Sequence, residues 1–225
     1  MIAPAACVIP ALDAARTVGA VARGVRAAAP HLFLIGVDDG SRDGTRAALA
    51  DACDLVIGFE VNRGKGAALR AGFAAALARD AAAVVTIDAD GQHDPAAIPA
   101  LLEALLEADL VIGARGRRGT SMPAGRRMTN ALASAAIGAI AGTSVPDAQS
   151  GYRAMRRALL ESVAAPGDRY EFETELLIAA ARAGFRIAAV PVATRYGAPS
   201  HFRGLRDSAR VVRVIWRHRA GAFHP

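Results

Sequence analysis

Lysine is almost missing from this chain, because Lys65 is the only one and arginine supplies the remaining positive charge. Over 225 residues, 27 Lys and Arg stand against 21 Asp and Glu, which gives a net charge of +6. A basic chain favours anionic partners such as phosphates, lipid headgroups or nucleic acid. Arginine and alanine occur throughout the sequence, so the basic charge alone does not choose among these partners.

Aromatic residues are also scarce, at 5% of the chain. Proteins that bind nucleic acid combine basic grooves with rings on which bases stack. The low aromatic content and the acidic segments described below therefore argue against a nucleic-acid partner.

Cysteine is limited to Cys7 and Cys53, and both lie beside apolar runs. We expect two buried free thiols in a reducing compartment rather than a disulfide.

No secretion signal is visible at the N-terminus. Residues 128–146 lack charge, but they are mostly Ala, Gly, Ser and Thr and are too weakly apolar to predict a membrane crossing. These features predict a cytoplasmic protein.

Apolar runs alternate with helix-forming segments along the chain. The predicted strands cover residues 6–9, 32–37, 55–59, 81–87, 110–113 and 187–192, and the predicted helices cover residues 13–29, 67–79, 95–107, 126–141 and 171–182. Repeated strand–helix units predict an α/β fold with a mostly parallel central sheet flanked by helices. The chain shows no repeat or linker, so we expect a single domain over residues 1–225.

The most informative stretch is Asp88-Ala89-Asp90-Gly91-Gln92, which follows the apolar run 81–87. A run without alternation is typical of a strand buried on both faces. Ligands of open α/β sheets bind at the carboxyl ends of such strands. The oxygens of Asp88, Asp90 and Gln92 suit Mg²⁺ or Mn²⁺. Asp94 before Pro95 is expected to cap the next helix.

Two further loops follow predicted strands. Asp38 and Asp39 form a second acidic cluster at a strand end. Asn62-Arg63-Gly64-Lys65-Gly66 opens the next helix, and its glycines would let backbone N–H groups approach a phosphate. A plain turn with a solvated lysine is the alternative, and the sequence leaves both open.

The second half of the chain is less regular. Residues 115–127 are basic and glycine-rich, which is typical of a long mobile loop over an active site. Residues 147–153 contain polar side chains that would line a cleft, and residues 195–201 form another loop. Residues 202–219 predict a helix with an arginine stripe. Such a helix lies on an anionic membrane surface or packs on the core with a solvated face, and both remain open.

Five segments together resemble glycosyltransferase family 2, and in particular the transferases of the polyprenyl-phosphate (dolichol-phosphate mannose synthase-like) type. They are Val8-Ile9-Pro10-Ala11, Val37-Asp38-Asp39-Gly40-Ser41, Asn62-Arg63-Gly64-Lys65-Gly66, Asp88-Ala89-Asp90-Gly91-Gln92-His93 and Ser150-Gly151-Tyr152-Arg153. The resemblance covers residues 6–201 and implies the GT-A fold. It implies a nucleotide-sugar-binding half at about residues 5–115, an acceptor-side half at about 116–201 and a basic C-terminal helix at 202–219.

The resemblance implies an inverting transfer of a hexose from a nucleotide sugar of the GDP-mannose or UDP-glucose type to a polyprenyl phosphate. Asp88, Asp90 and Gln92 of the DxD segment would hold Mg²⁺ or Mn²⁺ against the donor diphosphate. The substrate-binding positions it implies are Pro10, Ala11, Asp13, Asp38, Asp39, Asn62, Lys65, Asp88, Gln92, Arg115, Arg195 and His201. The catalytic candidates are Asp90, Asp147, Arg115 and Arg153.

The acceptor decides whether a base is needed. A phosphate acceptor is mostly anionic near neutral pH and needs no strong base. A hydroxyl acceptor needs a carboxylate base, for which Asp147 or Glu173 would serve. A soluble hydroxyl compound or a protein is therefore the alternative acceptor, and a catalytically inactive module that binds membranes or nucleic acid is a third possibility.

The resemblance departs from the family pattern at two places. Leu12, Asp13 and Ala14 replace the usual Tyr, Asn and Glu after the first strand, so the nucleotide base is not fixed. His201 stands where the synthases often carry lysine, which would make phosphate binding there depend on pH. No membrane-spanning C-terminal segment is recognised, so the helix at 202–219 is the expected peripheral contact with the inner membrane face.

Overall fold

The computed structural model describes residues 2–115, 130–131, 133–135, 137–139, 142, 145–169 and 171–194. Within these residues a seven-stranded sheet has the strand order β3-β2-β1-β4-β6-β5-β7. The strands are β1 Ala5–Ala11, β2 Phe33–Asp38, β3 Leu55–Gly58, β4 Ala83–Thr86, β5 Leu110–Arg115, β6 Arg153–Arg156 and β7 Ile187–Val192. The α/β class predicted from the sequence is confirmed.

The helices lie on both faces of this sheet. They are α1 Val18–Ala28, α2 Thr45–Ala50, α3 Lys65–Leu77, α4 Ile98–Ala104, α5 Arg157–Ser162 and α6 Glu171–Arg182. One apolar core packs α1, α2 and α4 against one face, and a second core packs α3, α5 and α6 against the other. Because both faces are covered, the central strands are almost continuously apolar.

The sheet is parallel except around β6. The pairs β1/β2, β1/β4, β2/β3 and β5/β7 are parallel, whereas β6 runs antiparallel to both β4 and β5. Strand β6 and helix α5 were not predicted from the sequence. Arg153-Ala-Met-Arg156 carries a charge at each end and gives no strand pattern, and the fold buries Arg153 all the same.

Strand β1 is buried along its whole length and includes Pro10. Its pairing with β4 ends at Val8, whose carbonyl accepts from Ile87 N at 3.3 Å. Pro10 lies two residues further on the same side of the strand, beyond the last β4 pair. Its missing N–H therefore costs no sheet hydrogen bond, and the sheet opens at that edge.

Several predicted boundaries were wrong by a few residues. Helix α1 begins at Val18 rather than at residue 13, because Asp13 has a φ of 46° and binds the neighbouring loop through Ser41 and Arg42. The predicted helix 95–107 begins as a 3-10 turn and ends at Ala104. The predicted cap is confirmed, since the Asp94 carboxylate accepts from Ala96 N at 3.0 Å.

The remaining expectations have mixed outcomes. Described positions between 130 and 139 are helical, in agreement with the helix predicted there. Cys7 is a buried free thiol as expected, whereas Cys53 is a free thiol of intermediate exposure. Partial burial raises the pKa of Cys53 to about 11. The basic loop at 116–127 and the helix at 202–219 lie outside the described residues. Within the described residues, no helix has the length and apolar character needed to cross a membrane.

Helix α3 approaches β1 through Gly72, which generates a first prediction. A Cβ at this position would overlap the Val8 side chain. Overpacking costs about 1–3 kcal/mol, whereas alanine gains about 1 kcal/mol of helix propensity over glycine. Gly72→Ala should therefore lower the free energy of unfolding in urea. Gly19→Ala in α1 is the control, because its Cβ would meet only the flexible end of the Arg23 side chain, at 3.3 Å. Equal stability of the two variants would contradict this packing.

Candidate active site

Charged side chains converge at the carboxyl edge of the parallel strands. Asp38 is the last residue of β2, Asp88 follows β4, and Arg115 is the last residue of β5. Lys65 begins α3, which packs on β1 and β2. Ligands of open α/β sheets bind at this edge, so these side chains mark the candidate site.

Lys65 joins two acidic side chains from different parts of the fold. Its Nζ lies 2.6 Å from Asp88 Oδ1 and 3.1 Å from Glu173 Oε1. Burial is the largest single influence and opposes the charged form of Asp88, but the charges of Lys65, His93 and Arg115, with the hydrogen bond from Lys65, together lower the pKa of Asp88. The only lysine of the chain thus links the end of β4 to the first turn of α6.

Gly151 forms the wall beside this ion pair. A Cβ on Gly151 would lie 2.6 Å from both Asp88 Oδ2 and Lys65 Nζ. The Gly151 carbonyl also accepts from Thr86 Oγ1 at 2.8 Å, which fixes the loop against β4. Any larger residue at position 151 would therefore displace the ion pair.

Asp90 lies beside Asp88 and has a different electrostatic environment. Its Oδ1 accepts from Gln92 N at 2.9 Å. Burial and the nearby Asp88 carboxylate raise the pKa of Asp90. The two acids therefore stand close enough to oppose each other's ionisation, and a cation between them would relieve this opposition.

Arg115 and Asp147 form a bidentate pair on the other side of the site. Asp147 Oδ2 accepts from Arg115 N at 2.8 Å and Arg115 Nε at 2.7 Å, and its Oδ1 accepts from Arg115 Nη2 at 2.6 Å and Asn130 Nδ2 at 2.8 Å. Burial opposes ionisation of Asp147, but these donors, led by Arg115, lower its pKa. The carboxylate is thereby a weak base and a firm anchor for Arg115.

The glycine loop at the start of α3 holds a carboxylate of the protein itself. Asp39 accepts from Arg63 N at 2.7 Å and from Gly64 N at 2.9 Å. Ala67 N donates to the Asp168 carbonyl at 3.1 Å. Gly64, at a φ of 103°, and Gly66 leave room for residues 167–168. Arg63 N, Gly64 N and Ala67 N thus bind protein oxygens, and phosphate contact by the rest of this loop stays a prediction.

Comparison with known proteins identifies the family. The family model described as "Glycosyl transferase family 2" matches residues 6–164. An undecaprenyl-phosphate mannosyltransferase of Micrococcus luteus is 35% identical over 75% of this chain and 74% of its own length. The chain belongs to glycosyl transferase family 2. A polyprenol monophosphomannose synthase of Mycolicibacterium smegmatis is 33% identical over 82% of this chain and 75% of its own.

Solved glycosyltransferase structures also superpose on this chain. Glucosyl-3-phosphoglycerate synthase of Mycobacterium tuberculosis, in complex with Mn²⁺, UDP and glucosyl-3-phosphoglycerate, superposes with a TM-score of 0.78 at 27% identity. The match covers 96% of this chain and 80% of that one. A complex of the same enzyme with Mg²⁺ and UDP superposes with a TM-score of 0.74. The GT-A fold implied by the sequence resemblance is confirmed.

The acidic pair of the glycosyltransferase fits a divalent cation held against a diphosphate. No group of three His, Cys, Asp or Glu side chains suited to a metal occurs among the described residues. Mg²⁺ is commonly held by one or two carboxylates together with substrate phosphates. Asp88 and Asp90 supply two such carboxylates. Burial and, after it, the Asp88 charge raise the pKa of Asp90, and a cation would offset that charge. The role of Gln92 as a ligand stays a prediction.

Arg153 is buried and makes structural hydrogen bonds in the glycosyltransferase. It is 1% exposed, and its guanidinium donates to the carbonyls of Ser150, Glu173 and Ala148 at 2.7–2.8 Å. A side chain enclosed in this way does not touch substrate. The expectation that Arg153 is catalytic is therefore corrected to a positioning role that ties α6 to the loop at 148–150.

Other predicted binding residues lie around the site with partners of their own. Asp38 is 1% exposed and accepts from Ser41 N and Arg46 Nε. Pro10 and Ala11 are buried in β1, Asn62 is exposed, and Asp13 lies in an exposed turn. Arg195 and His201 lie outside the described residues. The substrate-binding roles of these positions remain predictions.

Three features of the site were missed in the sequence. Asn130 supports Asp147, Gly151 borders the ion pair, and residues 165–168 cover the start of α3 and bind Arg70. His93 is buried, which lowers its pKa, and its ring centroid lies 5.2 Å from that of Tyr152. The glycine of Ser150-Gly151-Tyr152 was the only signal that could have indicated a close contact of this kind.

Gly151→Ala is predicted to separate Lys65 from Asp88, because the added Cβ would occupy the space of both charged groups. The displaced amine should react several-fold faster with an amine-acylating reagent. Since Lys65 is the only lysine, peptide mass spectrometry reports its labelling without interference from other side chains. Gly44→Ala should label at the wild-type rate, and wild-type labelling of Gly151→Ala would contradict the close contact.

Proposed function

We propose that this glycosyltransferase moves a hexose from a nucleotide sugar to the phosphate of a polyprenyl phosphate, with inversion at the sugar carbon and with Mg²⁺ or Mn²⁺ at Asp88 and Asp90. Relatives that are 33–35% identical carry names with undecaprenyl phosphate or polyprenol as acceptor. The geometry adds an independent argument about the acceptor.

The observation that carries the proposal is that both candidate bases are held by cations. Asp147 accepts four hydrogen bonds, three of them from Arg115, and its pKa is lowered. Glu173 is 6% exposed and pairs with Lys65. A hydroxyl acceptor must lose a proton to a base, whereas a phosphate monoester is already anionic near neutral pH. The site therefore favours a phosphate acceptor.

The proposed reaction needs no proton transfer. A lone pair of the acceptor phosphate forms the new bond to the anomeric carbon, and the bond from that carbon to the donor diphosphate breaks. The electron pair leaves with the nucleoside diphosphate. Atoms and charge balance without a base, which agrees with the pairing of Asp147 and Glu173.

The charge that develops on the departing diphosphate must be stabilised. Asp88 and Asp90 would hold the divalent cation, which supplies positive charge against the diphosphate oxygens. Arg115 is held at the edge of the same site by Asp147 and is the protein's own cation there. Lys65 fixes Asp88 rather than serving as a solvated charge.

A soluble acceptor is the second candidate, and one observation favours it. The glucosyl-3-phosphoglycerate synthase structures cover 96% of this chain and hold UDP with Mn²⁺. A small acceptor that takes the sugar on a hydroxyl would give a water-soluble product. The polyprenyl phosphate is preferred because it needs neither Asp147 nor Glu173 as a base.

A lipid acceptor implies that the protein works at the inner membrane face. The helix expected at residues 202–219 would provide a peripheral contact through its arginines. It lies outside the described residues, so membrane contact and the cytoplasmic location stay predictions.

The decisive experiment incubates the protein and Mn²⁺ with labelled GDP-mannose or UDP-glucose. One arm contains undecaprenyl phosphate and a parallel arm contains 3-phosphoglycerate. Label that moves into the organic phase supports the proposal, and label that moves only into a new soluble anion supports the second candidate. Absence of both products and of donor hydrolysis would contradict either activity.

Asp90→Asn is predicted to abolish the cation-dependent part of nucleotide binding. The variant keeps the size of the side chain but removes one of two charged ligands. Mn²⁺ with GDP or UDP should raise the melting temperature of the wild type, and this shift should vanish in Asp90→Asn. Asp51→Asn, an exposed acid at the end of α2, is the control. A full Mn²⁺-dependent shift in Asp90→Asn would refute the assigned ligand.

A further inference from the structure

We propose that Glu173 is a positioning residue, which acts through Lys65 to fix the Asp88 carboxylate, and that it is not a base. The inference rests on the proposed function, because it assigns Asp88 to the cation that meets the donor diphosphate. It concerns residues of α3, α6 and the β4 end, which lie more than 20 positions apart in the chain.

The contacts define a bridge of three side chains. Lys65 Nζ lies between Asp88 Oδ1 at 2.6 Å and Glu173 Oε1 at 3.1 Å. The side chains of Lys65 and Glu173 are 16% and 8% exposed. Charges this poorly solvated are strongly destabilising when a partner is removed. Loss of either carboxylate would therefore leave the Lys65 charge less well satisfied and its position less well defined.

The end of the bridge at Glu173 is itself anchored. The Glu173 carbonyl accepts from Arg153 Nη1 at 2.7 Å, and the same guanidinium binds the carbonyls of Ala148 and Ser150. Gly151, the next residue, packs directly against Asp88 and Lys65. Arg153 therefore fixes the backbone at Glu173, and Gly151 limits the space available to Lys65 and Asp88.

The pairing of Lys65 with two carboxylates explains how Glu173 could affect the cation site. With Glu173 as a second partner, Lys65 orients Asp88 while part of its charge is offset elsewhere. A carboxylate has about four acceptor positions, so Asp88 can keep Lys65 and still bind a cation. Residues that orient a ligand in this way typically change metal affinity by about 10–100-fold.

The test measures Mn²⁺ binding to the full chain with UDP present, by electron paramagnetic resonance, together with acylation of Lys65. Glu173→Gln should weaken Mn²⁺ binding by about tenfold or more and should speed Lys65 labelling several-fold. The turnover number at saturating Mn²⁺ and donor should change much less. Glu161→Gln is the control, because it removes an acid from α5 that pairs with Arg157 at the surface.

A double-mutant cycle tests whether Glu173 acts through Lys65. Lys65→Met should weaken Mn²⁺ binding, and adding Glu173→Gln should cause no further loss. Additive losses would overturn the proposal. A turnover number that falls by about 100-fold or more with unchanged Mn²⁺ binding would instead identify a base. Unchanged Mn²⁺ affinity and unchanged labelling, with only a lower melting temperature, would reduce Glu173 to a stabilising contact.

These readouts remain informative if the proposed function fails. Mn²⁺ affinity and Lys65 labelling do not depend on any acceptor. A wild type that binds Mn²⁺ with UDP but transfers nothing to polyprenyl phosphate would reject the acceptor and leave the positioning role standing. A wild type that binds no Mn²⁺ with either UDP or GDP would reject both.

Discussion

The ion pair between Lys65 and Asp88 is the constraint on which the arrangement of the site depends. It joins the first residue of α3 to the end of β4, and Glu173 extends it to α6. The side chains of Lys65 and Asp88 are 16% and 26% exposed, so water screens the pair only in part and the surrounding structure must hold it in place. Gly151 leaves the space that the pair needs, since no side chain can occupy its place without displacing the pair.

The same region connects the two halves of the chain. The Asp168 carbonyl accepts from Ala67 N, and Arg70 donates to the Gly167 carbonyl at 2.5 Å. Gly167 N in turn donates to Glu175 Oε2 at 2.6 Å. The start of α3 therefore makes contact with the start of α6 through residues 165–168. A shift of this segment would therefore move the starts of both helices, and with them Lys65 and Glu173.

Much of the fold could be predicted because buried parallel strands produce continuous apolar runs, as residues 81–87 do. The acidic segments at strand ends located the site for the same reason. Strand β6 could not be predicted, because Arg153 is charged in sequence and satisfied only by carbonyls that lie at 148, 150 and 173 in the fold. The partner of the glycine loop at 62–66 could not be predicted, because the Asp39 carboxylate that accepts from Arg63 N lies 24 residues earlier in the chain.

The position of the Asp39 carboxylate bears on the chemistry of the site. The positive end of α3 is a common place for a bound phosphate, but here the Asp39 carboxylate accepts from the backbone at that end. Under the proposed function, a donor diphosphate cannot use the same N–H groups. Its charge must be met by a cation at Asp88 and Asp90 and by arginine side chains such as Arg115. The internal carboxylate at the helix end is thus a physical reason to expect metal dependence in this glycosyltransferase.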